Sequence, residues 1–253
     1  MIELIIYLFI SIGLQIVFFI PAYLFKTDKL TDLSYALSFI ILLFVAILFN
    51  GLNISKAILI VMILAWAFRL GLFLFIRINK TKKDARFDNI RKDFLKFFLF
   101  WFFQGISVFV IMIPILIGFS YDLNCSGFSI LGFCIWLSGF LIESFSDIQK
   151  FNFNKNPKNK DKWISCGLWK YSRHPNYFGE ILCWIGLYVF VFIDFSLVDK
   201  ILGLSGPLFI SFLLVFVTGI PILERYADEK WGKDIKYKKY KKNTSILIPF
   251  FKG

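Results

Sequence analysis

The sequence contains little of what metal or disulfide sites need. Histidine occurs once in 253 residues, at His174, and the four cysteines are scattered without a Cys-x-x-Cys pair. A site built from Cys and His ligands is therefore not expected, and no metal is predicted. The first apolar run carries Glu3 and lacks both a basic start and a small-residue cleavage site. It is predicted to be a retained helix and not a signal peptide.

Acidic residues are also scarce, since 17 Asp and Glu face 29 Lys and Arg, for a net charge of +12. An excess of this size can indicate nucleic-acid binding, but no basic stretch here lies in a recognisable nucleic-acid-binding motif. Nucleic acid is therefore not expected as a partner, and the charge is expected to face membrane lipids.

Apolar residues dominate the chain. They make up 58% of it, aromatic residues 20%, and the mean hydropathy is +0.71. A helix needs about 20 apolar residues to span a bilayer. Seven runs approach or exceed this length: 4–24, 33–49, 54–76, 94–119, 128–148, 177–195 and 201–222. The sequence predicts an all-α, polytopic protein with seven transmembrane helices, treated as one membrane domain (1–253). Residues 1–55 would form its lipid and substrate side, and residues 56–253 its cofactor-binding part.

Positive charge alternates between the loops. The loops 77–93 and 149–175 hold seven Lys or Arg each and the tail after residue 222 holds nine, whereas 120–127 holds none and 196–200 one. The positive-inside rule then predicts the N-terminus outside and the C-terminus in the cytosol. In a bacterium this would be the inner membrane, with the active site facing the cytosol.

Polar residues within the apolar runs fall in the half predicted to be cytosolic. They are Arg69, Gln104, Glu143, Asp147, Asn176, Glu180, Glu224 and Arg225. Ionisable groups at membrane depth usually face a bundle interior or a wet cavity, so the pattern predicts one polar cavity open to the cytosol. Two plainer interpretations remain: a helix-end ion pair of Glu143 and Asp147 with Lys150, and an Arg69 that extends towards the headgroups.

The most informative stretch is 167–180, GLWKYSRHPNYFGE. Pro175 suits the first position of a helix, which places Arg173 and His174 just before its N-terminus. Backbone amides and the positive end of the helix dipole favour a phosphate there. Asn176 and Glu180 then lie one turn apart on one helix face.

The same stretch resembles the signature of the steroid 5-alpha-reductase-like membrane enzymes, especially their bacterial branch. The segments WAFRLGLFLFIR, KDARF, FWFFQGISVFVIMIP, ESFSDIQKFNF and YKKYKKNTSILIPFF agree in order, and the resemblance spans residues 66–251. It implies a seven-helix reductase that binds NADPH on the cytosolic side and reduces a carbon–carbon double bond of a lipophilic substrate from the bilayer.

The resemblance also assigns residues. It implies cofactor contacts at Asp147, Arg173, His174, Asn176, Glu180, Arg225 and Tyr240, with Lys80 as a further basic contact. For the substrate side the candidates are Trp66, Arg69 and Gln104. The proton donor is left open among Glu143, Tyr177 and Tyr171. The family's steroid-specific enzymes hold a ketone with a second-helix glutamate and a third-helix tyrosine. Here the second run, 33–49, lacks a carboxylate and Trp66 stands in place of that tyrosine.

Two alternatives come from other classes of protein. Membrane methyltransferases of the isoprenylcysteine carboxyl type also carry an RHPxYxG segment and bind S-adenosylmethionine. Their C-terminal pattern is partly matched by Glu224, Gly232, Tyr237, Tyr240 and Pro249. The other alternative is a non-enzymatic membrane protein on the same fold, since fold does not guarantee function. The sequence leaves the substrate and the oligomeric state open.

Overall fold

A computed structural model describes residues 2–81 and 90–250, without the side chains of 75 and 77–81. Within these residues the α-helices are α1 (Ile2–Leu24), α2 (Lys29–Asn50), α3 (Ile54–Thr81), α4 (Phe94–Phe119), α5 (Gly127–Lys155), α6 (Pro175–Val191), α7 (Leu197–Gly203), α8 (Ser205–Phe212), α9 (Ile220–Trp231) and α10 (Ile235–Asn243). Seven segments are long and apolar enough to cross a membrane. The all-α, seven-span prediction is therefore confirmed.

The second helix differs from its prediction. α2 begins at Lys29, four residues before the predicted run, so that Asp32 lies in its first turn. The expectation that the second helix carries no carboxylate is therefore wrong. Hydropathy located only the apolar part of the helix, because its first turn is polar. By contrast, α4 has the predicted bounds.

The seventh span, Leu197–Trp231, is not one continuous helix. It consists of α7, α8, a π-helical turn at Leu213–Val217 and α9. Pro221 in the first turn of α9 lacks the amide that would continue the preceding turn. At Gly219 a Cβ atom would lie 2.4 Å from the Leu214 carbonyl oxygen and 3.0 Å from the ring of Tyr177. Only glycine fits this backbone path.

The chain groups into two compact units. The first holds Met1–Ser129 with Leu187–Gly206, and the second holds Ile130–Gly186 with Pro207–Gly253. The expected single membrane domain, with its lipid side ending at residue 55, stays a prediction.

The first unit is organised around α4, which packs on α1 and α2. Trp101 and Phe97 of α4 are fully buried, and the Phe97 ring meets Phe19 of α1 edge-on. The Ser11 hydroxyl of α1 donates to the Gly105 carbonyl at 2.8 Å, which satisfies a hydroxyl that would otherwise be stranded among apolar groups.

In the second unit, α5 and α6 touch backbone to backbone. A Cβ atom on Gly179 would lie 2.6 Å from the Glu143 amide nitrogen, and one on Gly186 would lie 2.4 Å from that of Trp136. On the α5 side, a Cβ on Gly139 would lie 2.6 Å from the Gly179 carbonyl oxygen. Small residues allow such close approach between membrane helices. We call this contact the glycine seam.

Candidate functional site

The segment before α6 is held by backbone bonds to the C-terminal tail. Ser172 and Ser245 form an isolated parallel bridge, and the Arg173 amide donates to the Ser245 carbonyl at 2.8 Å. The Ser172 hydroxyl donates to the Leu247 carbonyl at 2.6 Å. α6 then begins at Pro175, as predicted, so Arg173 and His174 do precede a helix N-terminus.

Glu224 of α9 gathers three basic side chains. Its carboxylate accepts from Arg173 Nη1, lies 2.9 Å from His174 Nε2 and lies 3.2 Å from Lys241 Nζ of α10. The side chains of Arg173, His174 and Glu224 are only 12%, 5% and 16% exposed. Lys241 also donates to both carboxylate oxygens of Asp228. The site is thus a mostly buried ion cluster in which two cations, Arg173 and Lys241, face two carboxylates, Glu224 and Asp228.

Burial changes the protonation of the groups around Glu224. It lowers the pKa of His174, and the positive charges of Lys150 and Arg173 add to this, while the hydrogen bond and negative charge of Glu224 act in the opposite direction. The imidazole is therefore neutral near neutral pH. Burial also raises the pKa of Tyr240 far above its usual value, so its hydroxyl stays protonated and donates to the Trp169 carbonyl at 2.8 Å.

A cavity of about 480 Å³ opens beside this cluster. Five cationic side chains and two carboxylates line it: Lys150, Lys160, Lys162, Arg173 and Lys230, with Asp161 and Glu224. His174, Asn154 and Asn159 also line it, together with six aromatic rings: Trp163, Trp169, Tyr226, Trp231, Tyr237 and Tyr240. The volume lies within the range of small-molecule and cofactor sites. The lining suits an anion that carries planar rings.

Two buried nitrogen atoms of the cluster have no hydrogen-bond partner among the described residues. They are Arg173 Nε and His174 Nδ1. Buried polar atoms without partners are uncommon in proteins and carry a free-energy cost. Both side chains line the cavity, so a ligand with acceptor oxygens could satisfy the guanidinium there.

The structure brings together only part of the predicted cofactor set. Arg173, His174 and Tyr240 line the cavity. Asp147 is buried and Asn176 and Glu180 are partly buried, and none of the three is among the described lining residues. Arg225 is exposed and also lies outside the lining. The side chain of Lys80 falls outside the part of the chain that is described.

The candidate proton donors lie in different places. Glu143 is 2% exposed on α5 at the glycine seam, with its Oε2 4.0 Å from the Cys183 sulfur. Tyr177 stacks on His174 with ring planes 8° apart and centroids 5.7 Å apart. Tyr171 instead packs against Phe250 and lines a second, smaller cavity. The three are thus not gathered at one point.

The substrate-side candidates belong to the first unit. Trp66 is buried and meets the Phe39 ring edge-on at 5.2 Å. Gln104 donates to Gln15 Oε1 at 3.1 Å and to the Thr31 carbonyl at 3.0 Å. Arg69 is partly buried on α3. Their contact with a substrate stays a prediction.

Sequence reasoning did not include several lining residues among the cofactor contacts: Lys150, Trp163, Glu224, Trp231 and Tyr237. For Glu224 a signal existed, because a carboxylate at the end of an apolar run needs a cationic partner. Nothing in the sequence identified that partner as Arg173, 51 residues away. Among residues 2–81 and 90–250, no group of three or more His, Cys, Asp or Glu is placed to hold a metal ion.

The fold and the cavity define a class, namely polytopic helical membrane proteins with a basic, aromatic pocket at the helix ends. Residues 18–244 match the family described as "Protein of unknown function (DUF1295)", and the chain belongs to that family.

More distant relatives carry the name 3-oxo-5-alpha-steroid 4-dehydrogenase 1. The proteins of Macaca fascicularis and Homo sapiens are each 31% identical to this chain over 121 residues, or 48% of it. The Rattus norvegicus protein is 32% identical over 119 residues. The match spans only about two fifths of the length of these relatives, 40%, 41% and 40% respectively. No solved structure matches the chain.

Proposed function

We propose that this protein is an NADPH-dependent membrane reductase that transfers a hydride to a carbon–carbon double bond of a lipophilic substrate. The similarity to proteins named 3-oxo-5-alpha-steroid 4-dehydrogenase 1 supports an oxidoreductase. The observation that carries the proposal is the cavity beside Arg173 and His174, whose basic and aromatic lining suits a phosphorylated dinucleotide. The steroid-like, sterol-like, isoprenoid or fatty-acyl nature of the substrate is left open.

The lining offers complementary groups for both parts of such a cofactor. Lysine and arginine side chains bind phosphate oxygens, and Arg173 retains a buried Nε without a partner among the described residues. Trp163, Trp231 and Tyr237 form a cluster of rings with centroids 5.3–6.2 Å apart. An adenine ring could pack against this cluster, because planar aromatic rings attract one another in offset-stacked or edge-to-face arrangements.

Charge distinguishes this proposal from the methyltransferase alternative. S-adenosylmethionine carries a sulfonium cation and no phosphate, so a lining with five cations and two carboxylates repels it. A dinucleotide with several phosphate charges is attracted by the same lining. The methyltransferase reading therefore ranks second.

NADPH would supply the hydride, and the chain would have to bind the cofactor, polarise the acceptor and deliver a proton. Arg173 and His174 are proposed to hold the phosphate end, with Asp147, Asn176 and Glu180 on the nicotinamide side. Glu143 and Tyr177 are the stronger proton-donor candidates, because Tyr177 lies in the first turn of α6, which begins at this site, and Glu143 packs against the same helix. Tyr171 lines the second cavity.

A thermal-shift assay tests the proposal directly. Detergent-purified protein is heated with NADPH, NADH or S-adenosylmethionine, because a ligand that binds only the folded state raises the unfolding midpoint. We expect the largest rise with NADPH, and no rise with NADPH in Asn176→Ala or Asp147→Ala. A rise with S-adenosylmethionine alone would establish the methyltransferase alternative. No rise with any of the three would favour the non-enzymatic reading.

A further inference from the structure

The last helix, α10, has two faces of different character. Tyr237, Tyr240 and Lys241 follow one another at helical spacing on the side that faces the protein. The opposite stripe consists of Ile235, Lys238, Lys239 and Lys242 at positions i, i+3, i+4 and i+7. All four residues of this stripe are exposed, Ile235 to 82%. We call it the lysine stripe.

The lysine stripe has no internal counter-charge. Its three lysines form no ion pair among the described residues, whereas the neighbouring Lys241 pairs with Glu224 and Asp228. Like charges four residues apart, such as Lys238 and Lys242, destabilise an isolated helix. The dipole at the helix C-terminus compensates Lys242 but falls off within one turn. The face is therefore free to attract an external anionic surface.

The stripe lies close to the bilayer by its position in the chain. The last candidate span, Leu197–Trp231, has its apolar part up to Leu223, and α10 begins at Ile235. At the end of α10, Asn243 and Ser245 line a cavity of about 270 Å³ together with Lys170, Tyr171 and Phe250. Tyr171 stands four residues before Pro175, where another span begins. Two spans therefore start or end next to this surface.

Exposed apolar side chains follow α10 in the chain. Ile246, Ile248 and Phe250 occupy alternate positions of the tail and are 46%, 49% and 77% exposed. Exposed apolar residues next to unpaired lysines are typical of segments that lie in the headgroup region. Charge and apolar rim together fit one occupant, an anionic phospholipid surface.

We propose that the lysine stripe and the adjoining small cavity bind anionic phospholipid headgroups, and that this binding steadies the segment carrying Arg173 and His174. The second part follows from the backbone contacts of the tail. Ser245 bridges Ser172 and accepts from the Arg173 amide, and its hydroxyl donates to the Tyr171 carbonyl at 2.7 Å. A lipid that fixes α10 and the tail therefore also fixes this segment. The proposal does not depend on which cofactor the larger cavity takes.

The test compares lipid retention by the purified full-length chain. Native mass spectrometry counts phosphatidylglycerol and phosphatidylcholine retained from mixed micelles. Each lysine near an anionic surface contributes about fivefold in binding, so Lys238→Gln/Lys239→Gln/Lys242→Gln should abolish the wild type's preference for phosphatidylglycerol. The control Lys26→Gln/Lys29→Gln/Lys158→Gln removes three exposed charges elsewhere and should keep it.

Hydrogen exchange gives a second readout on the same variants in nanodiscs. Amides 172–174 and 245–247 should exchange more slowly in phosphatidylglycerol than in phosphatidylcholine for the wild type and the control, but not for the stripe variant. The same preference for phosphatidylglycerol in both triple variants would show that the lysine stripe is not the lipid-binding site. Unchanged exchange in the wild type would overturn the coupling. Displacement of phosphatidylglycerol by an RNA oligonucleotide would overturn the lipid assignment.

Discussion

Two buried polar clusters, one in each unit, differ in how completely their polar groups are hydrogen-bonded. In the first unit, Gln15 donates to Ser38 at 2.8 Å, and its carbonyl accepts from Ser34 at 3.2 Å and from Gln104 at 3.1 Å. These side chains satisfy one another. In the second unit, Arg173 and His174 share Glu224, yet each keeps a buried nitrogen without a partner among the described residues.

The first cluster is therefore a structural network, whereas the second has polar atoms available to a ligand. A polar cluster that saturates its own bonds holds helices together and offers little to a ligand. A cluster with an unsatisfied donor, Arg173 Nε, and an unsatisfied acceptor, His174 Nδ1, beside a cavity carries a free-energy cost that a ligand can remove. On this ground the second cluster is the better candidate for binding.

The largest expected effect comes from Glu224→Gln. This change removes the counter-charge of Arg173 and leaves a buried cation uncompensated, which costs up to about 3–5 kcal/mol. We expect the unfolding midpoint in detergent to fall sharply. Glu229→Gln, an exposed carboxylate on the same helix, is the matched control and should leave the midpoint unchanged. Equal midpoints for the two variants would show that the Glu224 cluster is not structurally important.

Gln15→Leu should destabilise the first unit without affecting the cavity in the second. The apolar side chain removes the hydrogen bonds that Gln15 makes. Ser34 and Gln104 still donate to the Thr31 carbonyl, so the cost should be only about 1 kcal/mol. We expect a lower midpoint and an unchanged NADPH shift. If the folded Gln15→Leu protein no longer shows a rise in midpoint with NADPH, the first cluster also affects ligand binding and the two clusters do not have separate roles.

Arg173→Lys separates the two roles of Arg173. Lysine keeps the charge opposite Glu224 but lacks the guanidinium fork that binds phosphates through two bonds. We expect about tenfold weaker NADPH binding by titration, with a midpoint close to the wild type. Lys158→Arg, outside the cavity lining, serves as control. If Arg173→Lys binds NADPH with wild-type affinity, the guanidinium does not contribute to the proposed phosphate site.

The smallest expected effect is a pH dependence due to His174. Burial lowers its folded-state pKa below the usual 6.5, so the unfolded state takes up the proton first as the pH falls. The stabilisation from the neutral imidazole is complete above pH 6.5 and is lost as the pH drops towards the folded-state pKa. The slope is at most about 1.4 kcal/mol per pH unit. His174→Gln should make the unfolding midpoint less dependent on pH between pH 7 and 5. The same pH dependence in the variant and the wild type would contradict this.

The sequence predicted what depends on local pattern. Hydropathy located seven spans, and Pro175 marked the start of α6. The sequence did not predict contacts between segments that are far apart in the chain. Glu224 and Arg225 illustrate this limit, because adjacent helix positions point about 100° apart and only Glu224 faces the cluster.

The break in the last span shows the same limit. Gly219 and Pro221 signal a weak point, but the Tyr177 ring that approaches Gly219 comes from another helix. Single-sequence reasoning has no access to such an approach. The resemblance assigned residues by motif, whereas the ring cluster of Trp163, Trp231 and Tyr237 forms only through the fold.

The glycine seam has a mechanical consequence for any change of shape in the second unit. Where backbones touch at Gly179 and Gly186, no flexible side chain lies between α5 and α6 to absorb a displacement. A close-packed contact of this kind transmits strain instead of yielding to it. We therefore expect the two helices to move as one unit, so that a ligand entering the cavity would displace the segments outside the seam: 156–174, α9 and α10.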